Sequence, residues 1–385
     1  MTVFDQLVGQ ERAVATLRAA VADAALDVPG GGPAMTHAWL FTGPPGSGRS
    51  NAARAFAAAL VCHSEGCGGC ADCHTALVGT HPDVHLVVTS GLSIGVELAR
   101  DLVPEAAASP SLGRWRVIVI EDADRLTDQA NNALLKSIEE ATPHTVWLLC
   151  APSLDDVLPT IQSRTRHISL VTPSTKDVAG HLVRTDGVDP AVASFAARAS
   201  QGHIGRARGL ATNEAARISR AETLRIPQRT GDLGSCLVAA QDLLDAATER
   251  AEERTNEVDS QEKAALARNL GVENPHRVPK WAAPQFKELG ELQKKRAKRA
   301  VRDEIDRDML DLVSFYRDVL AVQSGAGVEL VNAEMAPEIE KLASSGEPES
   351  TVRSMEAILK ARERIGASVA PLLAIEELML TLRVS

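Results

Sequence analysis

The sequence predicts an α/β domain built on a parallel sheet, followed by an all-helical part. Three observations carry this. Short apolar runs alternate with helical patterns over about the first 170 residues, as strands joined by crossover helices do. A glycine-rich turn follows the first of these runs and opens the next helical pattern. From Thr175 onward the strand signals stop. A chain of 385 residues has room for two or three domains and a well-buried core.

In chain order, helical spacing of apolar positions runs from Phe4 to Leu26, and Pro29 to Pro33 is a loop. Ala38-Trp39-Leu40-Phe41-Thr42 reads as a buried strand, and Ser50 to Cys62 as a helix. Strands follow at Val84–Val88, Val117–Ile120 and Val146–Cys150, with a weaker one at His167–Val171. Helical patterns at Ser93–Ala107 and Asp128–Ala141 separate them. Five parallel strands with both faces covered are expected. Val178 to Leu210 reads as a small helical group, and everything from Ala215 as helix or loop. Glu249 to Lys263 is so charged that a mobile or solvent-wrapped helix is expected, and Gly271 to Gln285, with three prolines, a loop. No fixed-period repeat is present. The expected domains are 1–172, 173–212 and 213–385.

Composition narrows the function classes. The net charge of −10 excludes a basic surface over the whole chain, and with it nucleic-acid binding driven by net charge. Aromatics at 3%, with one Tyr, exclude a base-stacking platform. Lys294-Lys295-Arg296-Ala-Lys298-Arg299 is the one dense basic run and reads as a solvated helix face. No apolar run reaches the ~18–20 residues of a membrane span, and the N-terminus lacks the features of a signal peptide. A cytoplasmic location is the expectation.

The glycine-rich turn is Gly43-Pro44-Pro45-Gly46-Ser47-Gly48-Arg49-Ser50. It matches the phosphate-loop pattern except that Arg49 stands where Lys belongs. Glycines let backbone N–H groups converge on phosphates, and the following helix adds positive potential. Arg keeps the charge, but its larger planar fork aims differently, which argues against accurate transition-state positioning. The bland alternative is an ordinary turn, against which the strand–turn–helix context argues. A second nucleotide motif would be an apolar strand ending in Asp-Glu, for the Mg²⁺ shell and for water activation. Here the strand ends in Glu121-Asp122, the reverse order. Glu121 would crowd the metal, and Asp122 would fall short of the water by about one methylene, ~1.5 Å. A solvated pair of strand-end acids is the alternative.

Cys62, Cys67, Cys70 and Cys73 lie within twelve positions. Four thiolates can close a tetrahedral Zn²⁺ site, leaving no open position for catalysis, so a structural zinc is expected. His63 or His74 could substitute for Cys62, whose spacing of four residues to Cys67 is the least regular feature. Free thiols or disulfides are the alternative. Cys150 and Cys236 sit in apolar runs and read as core residues.

Several of these segments together resemble the AAA+ ATPases, and within them the bacterial clamp-loader subunits. His37-Ala-Trp-Leu-Phe-Thr-Gly-Pro-Pro-Gly is similar to the family's entry into its phosphate loop. Asn131-Asn-Ala-Leu-Leu-Lys136-Ser-Ile-Glu139-Glu140 resembles the helix after its second motif, and Leu158-Pro-Thr-Ile-Gln-Ser163-Arg164-Thr165 its Ser-Arg-Cys segment, with Thr165 in place of Cys. The resemblance implies an AAA+ P-loop domain with the cysteine module inserted, a helical lid and an all-α collar that holds subunits in a ring. It implies that Arg164 is an arginine finger entering the neighbouring subunit's ATP site. It implies as partners the ATP-hydrolysing gamma/tau subunits, a delta subunit, the sliding clamp and primed DNA, in ATP-dependent clamp loading. Thr89 to Val96, opening a helix, is the candidate for DNA phosphates.

Three features favour a non-hydrolysing member of that family: Arg49, the Glu121-Asp122 order, and Gly205 where hydrolysing relatives carry a phosphate-sensing Arg. Gly205 lies in Ser200-Gln-Gly202-His-Ile-Gly205-Arg-Ala207. Arg206 is next door, but one helical residue turns it by about 100°. ATP and Mg²⁺ at the chain's own site are left open, with at most weak hydrolysis and no polymerase site. The alternatives are an ATP-hydrolysing clamp-loader subunit or related motor, and a zinc-stabilised DNA-binding scaffold.

Overall fold

The computed structural model describes residues 2–384 apart from 27, 29, 90–92, 273–277 and 368. The described chain divides into two compact units, Met1–Thr212 and Asn213–Ser385.

In the first unit a 3₁₀ turn, Val3–Gln6, precedes α1 (Glu11–Ala24). The single helix expected from Phe4 is therefore broken, and Gly9, at φ +69°, makes the break. There follow β1 (Ala38–Thr42), α2 (Arg49–Val61), α3 (Ala71–Val78), β2 (Val84–Val87), α4 (Val96–Ala107) and β3 (Arg116–Ile120). Then come α5 (Asp128–Glu139), β4 (Thr145–Ala151), α6 (Pro159–Gln162) and β5 (Arg166–Ser169). All pairings are parallel, in the order β2-β3-β4-β1-β5. Side chains alternate across this sheet, as the pleat requires. Trp39, Phe41, Val117, Val119, Val146 and Leu148 join a core with α1 and α2, where Trp39 meets Phe56 edge-on at 5.0 Å. Leu40, Ile118, Ile120, Trp147 and Leu149 join a second core with α4 and α5. Both faces are covered, which is why β1, β3 and β4 read as continuous apolar runs. The glycine-rich turn leaves this sheet at the end of β1, between the strand and α2.

Three helices complete the unit: α7 (Thr175–Asp186), α8 (Pro190–Ala199) and α9 (Ile204–Thr212). Ser174 and Asp189 cap the first two through their side-chain oxygens. Helix α3, which the sequence reading left out, is a two-turn helix opened by Cys70 and closed by Gly79 in the left-handed conformation.

The second unit is entirely helical among its described residues. Helices α10 (Glu214–Leu224) and α11 (Ile226–Arg229) lead into α12 (Leu233–Leu270) and α13 (Ala283–Gln323), of 38 and 41 residues. α14 (Ala336–Ser345), α15 (Pro348–Gly366) and α16 (Pro371–Val384) finish the chain. Leu243, Ile305, Met309, Phe315, Ile358 and Ile375 anchor its core.

The Glu249–Lys263 stretch is neither detached nor irregular. It lies inside α12 and pairs with α13 in both senses: Arg296 of α13 contacts Asp259 and Glu262, and Arg250 of α12 reaches Asp308 of α13 at 2.5 Å. The hydrogen bond from Arg296, against the opposing effect of burial, holds the Glu262 carboxyl below its usual range. The basic run of α13 is partly consumed in this way: Lys294 pairs with Glu291 and Arg299 with Asp303. The expected 271–285 loop is shorter than predicted, because Pro284 sits in the first turn of α13, where a missing N–H costs nothing; 273–277 lie outside the described residues.

A buried charge network stands beside that core. Arg220, 4% exposed, donates to Asp311 at 3.0 Å, to Glu334 at 2.6 Å and to Asn332. Asp318, fully buried, accepts from the backbone N–H groups of Val331 and Asn332. Burial pushes the Asp308 carboxyl up to about 7 despite Arg250 beside it.

Candidate functional site

The phosphate-loop sequence leaves the end of β1 and enters α2. Gly48, at φ +87°, is the N-cap of α2, and no side chain caps that helix. The 13-residue helix thus presents an uncapped N-terminus in a glycine turn, a backbone geometry that fits an anion. The Ser47 hydroxyl is buried here with no hydrogen-bond partner in the chain. Gly46 has no room for a side chain: a Cβ there would lie 2.7 Å from Cβ of His203, just before α9.

The charged groups of the motif turn inward. Arg49 bends back, and its Nη1 donates to the Gly43 carbonyl oxygen at 2.7 Å. Glu121, at the end of β3, accepts from Arg54 Nε at 2.5 Å, and Arg54 also donates to the Leu77 carbonyl at 3.2 Å. The carboxylate at the metal position of the motif is therefore held by a cation one helical turn beyond Ser50. Asp122 is half-buried and opens the 3₁₀ turn Ala123–Arg125. The backbone cradle fits phosphate, while Arg49 and Glu121 are engaged elsewhere.

Sequence reasoning missed Arg54, His203 and Gln10. Gln10 is 4% exposed. Its amide donates to the Val171 carbonyl at 2.6 Å and to the Ser47 carbonyl at 3.3 Å, and its oxygen accepts from Val171 N–H at 3.1 Å. It ties the glycine-rich turn to the segment leading into α7. Its place beside Gly9 was the available signal.

Arg164 lies in the turn between α6 and β5, away from this loop. Its side chain is 34% exposed. Nη1 donates to the Thr160 carbonyl at 2.8 Å and to Ser163 Oγ at 3.2 Å, and Nη2 to Glu139 Oε1 at 3.0 Å. Nε is buried with no partner.

The four cysteines of the cluster converge, with their sulfurs all within 4.8 Å of one another. Cys62 Sγ is 3.8 Å from Cys67 Sγ and 3.7 Å from Cys70 Sγ. A tetrahedron with metal–sulfur bonds of about 2.3 Å has edges of about 3.8 Å, so the donor set fits zinc. None of the four is in a disulfide. Backbone N–H groups of Ser64, Gly68 and Cys73 point at Cys62, Cys73 and Cys70 sulfurs, the pattern that thiolates need. Burial alone would raise the Cys62 thiol, but N–H groups of Cys67, Ser64 and Gly66 outweigh it and bring it to about 6. His63 and His74 are exposed and outside the cluster. Cys150 and Cys236 are core residues. Of the Thr89–Val96 segment, Ser90, Gly91 and Leu92 lie outside the described residues; Gly95 is the N-cap of α4.

Residues 32–174 match the family model described as DNA polymerase III, delta subunit. Over 353 residues the chain is 26% identical to DNA polymerase III subunit delta' of Bacillus subtilis, covering 91% of each chain. It is 37% identical over 142 residues to DNA polymerase III subunit delta' of Haemophilus influenzae, 36% of this chain and 43% of that one. It is 32% identical over 209 residues to DNA polymerase III subunit gamma/tau of Mycobacterium tuberculosis, 52% of this chain. The match spans 35% of the length of that gamma/tau relative.

Proposed function

We propose that the chain, similar to DNA polymerase III delta' subunits, is a non-hydrolysing clamp-loader subunit that completes a neighbour's ATP site with Arg164. The observation that carries this reading is the contrast between two arginines. Arg49 is folded onto the Gly43 carbonyl of its own loop, while Arg164 stands half-exposed in a turn on a different part of the domain. The engagement of Glu121 by Arg54 supports it further.

In this reading Arg164 stabilises charge that develops on a phosphoryl group held by the adjoining subunit. Its permanent charge and fork of donors suit that task. A nucleotide with Mg²⁺, when bound at the chain's own loop, would supply negative phosphate charge and a neutralising cation there. Gly46, Ser47, Gly48, Arg49 and Ser50 would hold the phosphates, and Glu121 and Asp122 are the carboxylates that would hold the metal once Glu121 leaves Arg54. The ring partners are gamma/tau and delta subunits, and the work is loading a sliding clamp on primed DNA in the cytoplasm. Asn213–Ser385 serves as the collar.

The test is ATP turnover by the purified chain. It should stay at background, and Arg49→Lys should not raise it, because Glu121 remains held by Arg54. Turnover of ordinary size (on the order of 1–10³ s⁻¹) that collapses in Arg49→Ala would replace this reading with that of a motor ATPase.

Cys62, Cys67, Cys70 and Cys73 hold one structural zinc in this proposal. Metal analysis of the purified chain should give about one Zn²⁺ per chain, falling on Cys73→Ser. A stoichiometry near zero in protein prepared without chelator would refute it.

A further inference from the structure

We infer that Glu139 is a positioning residue for Arg164, parking the finger until a neighbouring nucleotide displaces it. The inference rests on the arginine-finger reading and deepens it.

The guanidinium has two kinds of partner. Nη1 is anchored within its own turn, on the Thr160 carbonyl and the Ser163 hydroxyl. Nη2 is held across the fold, by Glu139 at 3.0 Å. Nε is buried and unpartnered, so the stem is fixed while the tip is shared with solvent. Glu139 is the last residue of α5. A carboxylate there faces the negative end of the helix dipole, an unfavourable place that a nearby cation relieves. Arg164 is that cation. Both groups are substantially exposed, at 34% and 53%. Such a pair is worth at most about fivefold in an equilibrium. The finger is thus held in one place without being locked there. A polyphosphate carries more charge than one carboxylate and can take Nη2, but only by competing with Glu139.

A competitor of this kind changes how much nucleotide is needed and leaves the rate at saturation unchanged. In a loader reconstituted with its ATP-hydrolysing partners, Glu139→Gln should lower the KM for ATP at the completed site two- to fivefold. The kcat should stay within about twofold. The gap between the two proteins should close as salt is raised, since the pair is screened. In an Arg164→Ala background the same Glu139→Gln change should have no effect, which a merely structural role for Glu139 would not give. An unchanged KM, with Arg164→Ala still lowering hydrolysis, overturns the parking role alone. A fall in kcat on Glu139→Gln also overturns it, because Glu139 would then be aiming the finger. If Arg164→Ala leaves hydrolysis unchanged, the finger reading itself fails, and this inference with it.

Discussion

Arg164→Ala should lower ATP hydrolysis at the site this chain completes by roughly 10³-fold, the lower end of what an arginine finger supplies. The loader should still assemble. The side chain is part-exposed and its ion pair is a surface one, so its loss costs the fold little, about 1 kcal/mol or less. Single-turnover hydrolysis, in assemblies whose other phosphate-loop lysines are disabled, isolates the site concerned. Arg164→Lys should recover only a small part of the rate. An ammonium keeps the charge but loses the planar fork that can bridge two phosphoryl oxygens. A loss no greater than threefold in Arg164→Ala would leave the trans role without support.

The second large effect is on stability. Arg220→Ala should destabilise the helical unit by roughly 3–5 kcal/mol, because removing one partner strands the others in a buried site. Asp311, itself 4% exposed, loses its 3.0 Å donor, and the fully buried Asn332 side chain loses a donor as well. Asp308, already pushed up to about 7 by burial, lies in the same acidic group, so added negative charge there cannot be diluted by solvent. In thermal unfolding this is a fall of roughly 10 °C for a domain of this size. Arg229→Ala provides the contrast. Its pair with Asp242 is 49% and 52% exposed, and its loss should cost no more than about 1 kcal/mol. Similar small costs for both variants would mean that the network contributes nothing beyond surface pairing.

What the sequence made legible follows the range of the contacts involved. The strands and phosphate loop depend on contiguous residues, so Ala38–Thr42 and the glycines after it could be read directly. The four cysteines lie so close in the chain that their meeting was expected. The engagement of the site's charges was hidden because it is long-range. Arg54 meets Glu121 across 67 positions, and Gln10 meets Val171 across 161. No local pattern marks such partners. Glu139 stood inside a quoted motif, but its partner Arg164 is 25 positions away and on another element. The charged part of α12 was legible as a helix, but not its facing partners: Arg296 of α13 meets its acids and Asp308 of α13 meets its Arg250, and a single-helix pattern does not reveal the facing helix. The break at Gly9 was misread because apolar spacing continues through it.

The long helical pair α12–α13 is clasped by hydrocarbon at both ends. Leu243, Met309 and Phe315 grip its root, and Ala267, Val272, Ala282 and Phe286 close its far end. Between them the grip is ionic, through Arg250, Arg254 and Arg296. Hydrocarbon contacts are nearly indifferent to electrolyte, whereas exposed charges fade within a screening length of about 8 Å at physiological strength. Salt therefore reaches that middle unevenly: it screens the part-exposed pairs of Arg296, while Asp308 and Glu304, whose side chains are 8% exposed, stay largely shielded beside Arg250.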